Sequence, residues 1–593
     1  MKFDEIATQL GEFGRYQKRV FFLLSPAAMT CGIQIMISVF NMGVPNHRCA
    51  LPGYAEDTWS LHSPEHAQRV NTSIPLDPDM EEKGGYSRCN VFYQDNVTME
   101  TDTTQCSRFV YDPTTYASSA VTKWDLVCSR KLYRSHSRMI LMAGLLVGAF
   151  TTGIIADIIG RKLALMGMVA LQAASSIAVA WAPSFVIYVV LRFLTGFTVS
   201  GLFLVIFVLG MELVGPKKRM FVGIVVEMFW SAGVMLLGGI AYVVRDWDKL
   251  QMIMSFPILL LLSYWWLIPE SPRWLLARGR DAEAEEIIRH AARVNKVTLP
   301  EKVFDNKTFD EVSQNEKVWH IFTSRILFIR TVILCLNWLV CSMVFYGLSL
   351  NSGNLGGSVY VNFQLMAVVE LIAYTGCVLL LNRLGRKVTH IGCMLLGGGA
   401  CLSTIFAVLY TAGEVKTWLT IALALIGKLG AAAAFAIIYV YSAELFPTIV
   451  RNSLMGVTCL FARLGGMISP YIADLEDIVG GQFGRALPLL VFGTTTIGVG
   501  LLCVFLPETL HRHLPETLED AKKFGRQVEG RRRAGAEDVE FDVETPHPHT
   551  GDGPEREPLT SDSHDKPATN NVIYKPSATN GVNGRLPMVS SKV

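Results

Sequence analysis

Gly153-Ile-Ile-Ala-Asp157-Ile-Ile-Gly160-Arg161-Lys162 and Leu381-Asn382-Arg383-Leu384-Gly385-Arg386-Lys387 are two versions of one short string, each set between long apolar runs. They stand about 225 residues apart, and two further pairs repeat at similar offsets. Glu212 with Arg219 and Glu444 with Arg451 place an acid and a base seven residues apart, just after an apolar run. Pro269-Glu270-Ser271 and Pro507-Glu508-Thr509 end the two stretches. Three matched pairs mean that the chain contains one unit twice.

Of 593 residues, 51% are hydrophobic and only 18% charged, with a mean hydropathy of +0.34. This is too apolar for a soluble domain and reads as a polytopic, all-α membrane protein. Duplication within such a chain is the signature of a secondary transporter made of two similar halves. The net charge of +2 implies no nucleic-acid partner, because the bases are dispersed between apolar runs. About 20 apolar residues cross the hydrocarbon core, which predicts twelve spans. Six lie near Arg19–Phe40, Met139–Ile159, Leu163–Trp181, Phe185–Met211, Phe221–Val244 and Leu250–Ile268. Six more lie near Ile326–Leu350, Val359–Leu381, Thr389–Tyr410, Trp418–Ser442, Leu454–Asp474 and Leu487–Leu506.

The resulting plan is a short N-terminal segment (1–18), a six-span half (19–269), a linker (270–325), a second half (326–509) and a tail (510–593). Lys18, Arg19, Arg161, Lys162, Lys217, Lys218, Arg219, Arg273, Arg383, Arg386 and Lys387 fall on one side, which the positive-inside rule makes cytoplasmic together with both termini. The connection 41–138 then faces outward. It holds four of the twelve cysteines, Cys49, Cys89, Cys106 and Cys128, enough for two disulfides whose pairing the sequence leaves open. It also holds glycosylation sequons at Asn71 and Asn96, whereas Asn306 faces the cytoplasm and stays bare. In the linker, Asp281–Lys296 reads as an amphipathic helix, acidic at its start and basic at its end, with Ile287, Ile288, Ala291 and Val294 forming an apolar stripe that lids the bundle. The polar tail reads as disordered and ends in Ser591-Lys592-Val593, which suits a PDZ-domain partner.

Taken together, the residues resemble the organic cation, organic anion and carnitine transporter family of the major facilitator superfamily. The resemblance covers about residues 5–520. It rests on Asn46-His47-Arg48-Cys49, Thr122-Lys123-Trp124-Asp125-Leu126-Val127-Cys128, the Asp157–Lys162 hinge, Pro269-Glu270-Ser271-Pro272-Arg273-Trp274 and Tyr441-Ser442-Ala443-Glu444-Leu445-Phe446-Pro447-Thr448. Gly347–Gly357 and the pair Val369-Glu370 look closest to the carnitine branch. The resemblance implies a plasma-membrane carrier that works by alternating access. Asp157, Arg161, Glu212, Arg219, Arg386, Glu444 and Arg451 would then form charge networks that gate its inner end, unless they only cap helices and fix topology. Asn382 stands where the first hinge has Asp157, so the two hinges differ in charge.

A charge inside an apolar span costs roughly 2.5–3.5 kcal/mol on insertion scales and marks a functional position by default. Five lie deep within spans: Arg192, Glu227, Glu370, Lys428 and Arg463. Having both Glu370 and Arg463 near the midplane suits a zwitterion such as carnitine, whose carboxylate an Arg fork grips. Its quaternary ammonium attracts aromatic faces, which Trp338, Phe345, Tyr346, Phe435 and Tyr439 supply. Glu227 would favour cations, and Arg192 reads as structural or gating. The alternative is structural: Glu370 and Lys428 neutralise each other, and Arg463 pairs with Asp474.

No Walker A string, H-E-x-x-H, spaced Cys/His cluster or G-x-S-x-G occurs, so neither ATP-driven transport, a metal centre nor an enzyme is expected. No cofactor is implied, with Na⁺ as a coupling ion the one inorganic candidate. The rivals to a carnitine carrier are a polyspecific cation or anion carrier, and a non-transporting receptor or scaffold. A channel would need a filter segment that is not visible.

Overall fold

The computed structural model describes residues 3–54, 57–76, 85–94, 101–215, 218–300, 324–353, 355–447, 450–479, 481–510, 512, 515 and 518–524. Among them, twelve helices are long and apolar enough to cross a membrane. The first six are Arg15–Asn41, Cys128–Ile159, Arg161–Ala180, Phe185–Glu212, Phe221–Val243 and Trp247–Leu267. The second six are Arg325–Gly353, Val359–Leu384, Arg386–Tyr410, Gly413–Leu445, Ser453–Ala473 and Ala486–Phe505. A helix satisfies its own backbone polar groups, which lipid cannot do, so the apolar runs have no other open-chain solution.

Small residues set how the spans meet. Gly144 and Gly148 of the second span lie against the carbonyl oxygens of Phe193 and Phe197 in the fourth, and Gly196 lies against that of Leu141, leaving no room for a Cβ. Gly465 of the eleventh span lies in the same way against Leu339 of the seventh. Such contacts replace the hydrophobic drive that helices lack in lipid. The two halves meet along the second span against the eleventh and the fifth against the eighth. At the duplicated hinges, Gly160 (φ +103°) and Gly385 (φ +91°) occupy backbone conformations that other residues avoid, and each ends one span as the next begins.

Two spans depart from expectation. The second span opens with a 3₁₀ turn at Cys128–Arg130, and its α-helix begins at Leu132, seven residues before the apolar run. Its first turns carry Arg134, Ser135 and Arg138, buried polar groups that a hydropathy reading places outside the span. The sixth relaxes into a 3₁₀ segment over Phe256–Ser263, at Pro257, which has no N–H to continue the helix.

The connection between the first two spans is a small domain of its own, with the chain's only described strands. His47–Cys49 pairs antiparallel with Phe109–Tyr111, and Asn90–Gln94 with Thr101–Gln105. The four cysteines pair as Cys49–Cys106 and Cys89–Cys128. Asn71 is exposed; Asn96 and Asn306 lie outside the described residues, as do 301–323 of the linker and the tail from 525 onward with its terminal Ser-Lys-Val. Within the domain, Asp57 accepts two hydrogen bonds from Arg48 (2.6 and 3.0 Å), one from the Leu51 amide (2.7 Å) and a contact from His66 (2.9 Å).

The linker helix runs Asp281–Asn295, and Lys296 ends it in the left-handed conformation. Ala284, Ile288, Ala291 and Ala292 bury its stripe, and Ile287 and Val294 are partly buried. It docks on the N-terminal half through Asn295, which accepts from the Tyr16 amide (2.8 Å) and donates to the Leu10 carbonyl (2.9 Å) and Gln17 (2.8 Å).

Burial pushes the Asp57 carboxyl up, but the hydrogen bonds from Arg48, Leu51 and His66 outweigh it and hold the group below the usual carboxylate range. Its stabilisation is therefore complete above the unfolded value of about 4 and disappears as pH falls through the lower folded value. Thermal unfolding of the native protein and of Asp57→Asn across pH 7 to 3 should show a gap that is constant down to about pH 4 and narrows below it.

Candidate functional site

A chamber lies between the halves near mid-span. The first, second, fourth and fifth spans contribute Ile35, Leu145, Phe203, Glu227 and Trp230; the seventh, tenth and eleventh contribute Phe345, Tyr346, Phe435, Tyr439 and Arg463. The residue spacing explains the convergence. Phe435 and Tyr439 stand one turn apart on one helix face, as do Glu227 and Ser231. The aromatic wall is continuous: Phe345 stacks on Phe435 at 5.3 Å, and Tyr439 meets Phe435 edge-on at 5.6 Å. The charges that Glu227 senses here are Glu370 and Arg463. In this conformation the cavity volume is about 30 Å³, far below the several hundred Å³ typical of small-molecule sites. The chamber is drawn shut around its charges.

The acid that lines the chamber opposite Arg463 is Glu227, not Glu370. Glu370 is 1% exposed and sits behind the wall, 2.6 Å from Lys428 and accepting from Ser231 at 3.0 Å. Lys428 is likewise absent from the lining, because Glu370 and its neighbours take all three of its N–H groups. Trp338 also stands one layer back. Its indole donates to Ser442 (2.9 Å) while its ring meets Tyr439 edge-on at 4.2 Å, so it holds the wall without facing the cavity. Arg192 is buried within the N-terminal half, donating to the Gln34 carbonyl (3.2 Å) and to Ser38.

The alternative pairing of Arg463 with Asp474 is not made. Asp474 closes the eleventh span and crosses to the other half, where Arg134 (3.0 Å), Arg138 (3.4 Å) and Ser135 (2.5 Å) donate to it. All four residues are buried. His136 and Tyr471 form a second bridge at 2.8 Å alongside. This latch joins the halves at the end that carries the small domain. Hydropathy hid it, although Arg134 and Arg138, one turn apart on one face, were a usable signal.

At the hinge end, the described contacts of Arg161, Arg386 and Arg451 lie within their own halves. Arg161 meets Asp157 at 2.9 Å and Glu212 at 3.4 Å, and its backbone N–H donates to Glu270 at 2.9 Å. Arg386 meets Glu444 at 3.0 Å, and its backbone N–H donates to Glu508 at 2.9 Å. Arg451 donates to the Phe446 carbonyl at 3.3 Å, with Glu444 as its nearby charge. Arg219 opens the fifth helix at the same end. Glu270 and Glu508 therefore cap the spans that follow the two hinges, a role that the repeated Pro-Glu strings signalled without specifying. Burial pushes the Glu508 carboxyl up, but four backbone amides, those of Leu510, Arg386, Thr509 and Lys387, hold it below the ordinary range.

Breaking a buried ion pair by removing one partner costs about 3–5 kcal/mol. Asp474→Asn should therefore shift the resting population at least tenfold toward a form open at the domain end. Distances between spin labels placed at that end of the second and eleventh spans check this, and an unchanged distribution would contradict it.

The sugar (and other) transporter family model matches residues 89–520. Over 546 residues the chain is 38% identical to the organic cation transporter protein of Drosophila melanogaster, covering 89% of this chain and 96% of that one. It is 33% identical over 529 residues to the organic cation/carnitine transporter 2 of Mus musculus, covering 87% and 93%. Among solved structures it is similar to the proton:xylose symporter XylE bound to 6-bromo-6-deoxy-D-glucose, with a TM-score of 0.55 at 15% identity over 86% of this chain and 99% of that one. The inward open conformation of the xylose transporter XylE from E. coli gives a TM-score of 0.55 at 13% identity, with the same coverage. At those identities the structural likeness speaks for the fold alone. Duplicated hinges, twelve spans, a central chamber and relatives matched along almost their whole length lead to one assignment: the chain is a solute transporter, not an enzyme, and belongs to the organic cation transporter family of the major facilitator superfamily.

Proposed function

We propose that this chain moves small organic cations and zwitterions, carnitine among them, across the plasma membrane by alternating access, with the hinge end cytoplasmic and the disulfide-bonded domain outside. The observation that carries the reading is that Glu227 and Arg463 line one aromatic chamber between the halves. A quaternary ammonium cannot donate hydrogen bonds, so a carboxylate and aromatic faces are its natural partners. A carboxylate at the other end of the same solute suits a guanidinium fork. The likeness to an organic cation/carnitine transporter supports the same solute class.

The two charges divide the work. Glu227 recognises the cation in every solute, while Arg463 matters only where the solute also carries an anion. The latch at Asp474 would be the outer gate, closed here, and the hinge networks would brace each half as it rocks.

Uptake of labelled carnitine, tetraethylammonium and p-aminohippurate measured side by side tests this. A hydrogen bond to a charged group contributes about 1.5–3 kcal/mol, or roughly tenfold and more. Arg463→Ala should cut carnitine uptake at least tenfold and spare tetraethylammonium, whereas Glu227→Gln should lower both. Preference for p-aminohippurate would refute the assignment, and binding without flux would favour a receptor instead.

A further inference from the structure

Behind the chamber wall, the Lys428 ammonium sits in a complete ammonium site made from the protein's own parts. Its Nζ lies 2.6 Å from Glu370 Oε1, 2.9 Å from the Phe345 carbonyl oxygen and 2.7 Å from Ser349 Oγ. It also lies 3.4 Å from the centroid of the Phe345 ring. An ammonium has three N–H groups, and three acceptors meet them; the ring face supplies cation–π attraction besides. Ser231, from the other half, steadies the carboxylate by donating to its second oxygen at 3.0 Å. Lys428 itself is fully buried.

Neutralising Glu370 does not require this much. A buried ion pair can often be replaced by apolar residues with no loss of stability, so a carboxylate, a carbonyl, a hydroxyl and an aromatic face converging on one nitrogen mark a built cation site. Phe345 is the partition. Its ring belongs to the cage and also lines the chamber, whereas Glu370, Ser349 and Lys428 do not line it.

We infer that Lys428 is a tethered cation that keeps this cage closed to ammonium solutes, so that the transporter presents one exchangeable acid, Glu227, where it would otherwise present two. The inference deepens the reading of the chamber as a cation site. The vacated cage would take a small primary ammonium, because three acceptors call for three N–H groups and a quaternary nitrogen has none. Lys428→Ala removes the atoms from Cγ to Nζ, which are those of propylammonium.

The test is thermal unfolding of the purified full-length protein, of Lys428→Ala and of Lys428→Ala/Glu370→Gln, each titrated with propylammonium chloride and with tetramethylammonium chloride. Propylammonium should raise the melting temperature of Lys428→Ala saturably, with half-saturation at least tenfold below any response of the other two proteins. Tetramethylammonium should do nothing comparable. Equal responses among the three proteins, or equal responses to the two ions, would overturn the inference. Should Lys428→Ala fail to fold, propylammonium in the growth medium should restore folded protein, and failure of that rescue would overturn it as well. The readout is occupancy of the cage rather than flux, so it stands or falls apart from the identity of the transported solute.

Discussion

The cost of a bare charge inside an apolar bundle organises this molecule. A charge at mid-span is tolerated only where partners or a water-filled cavity receive it. Five charged residues lie deep in the spans, and the structure settles them in three different ways. Arg192 is absorbed by the first span through Gln34 and Ser38. Glu370 and Lys428 absorb each other. Glu227 and Arg463 are left to face the cavity. The chamber is thus defined by exclusion, as the place where charge has not been spent on packing.

That exclusion explains how far the sequence was readable. Span number, the two halves and the hinges follow from run length and repetition, properties that one dimension carries. The positions of the five charges were legible for the same reason. Which acid faces the cavity was not, because Glu227 and Glu370 differ only in how their helices are rotated within the bundle. Rotation is set by contacts such as Gly238 of the fifth span against Phe363 and Gln364 of the eighth, and those appear only once the halves are docked. Cysteine pairing was closed to the sequence in a similar way, since four cysteines allow three connectivities and geometry alone chooses among them.

The duplicated units have also diverged in an informative direction. Both hinges keep the Gly, the Arg and the capping Glu, the parts that end one span and start the next. The acid one turn before Arg161 is lost at Asn382. Thr509 donates to Glu444 at 2.6 Å, drawing the terminal segment of the second half into its network. Helix termination is therefore common to both halves, while the surrounding charge is not.

The eleventh span links the chamber to the latch. Arg463 and Asp474 belong to the same segment, eleven residues apart, or about 16 Å along a helix rising 1.5 Å per residue. One end presents a guanidinium to the cavity and the other a carboxylate to Arg134 and Arg138 of the opposite half. A solute that engages Arg463 is too far away to touch the latch, yet any tilt it imposes on this span moves Asp474. Pro470 lies between the two sites and interrupts the backbone ladder, so the coupling passes through a bend rather than a rigid rod. Driving a two-state equilibrium from 1:99 to 99:1 takes about 5.5 kcal/mol of differential binding. With a cavity of about 30 Å³, the closed form cannot hold a solute in the geometry of the open one. On the proposed reading, in which Arg463 and Glu227 engage the solute, binding energy there would differ between the two forms, and that difference is what the eleventh span would carry to the latch.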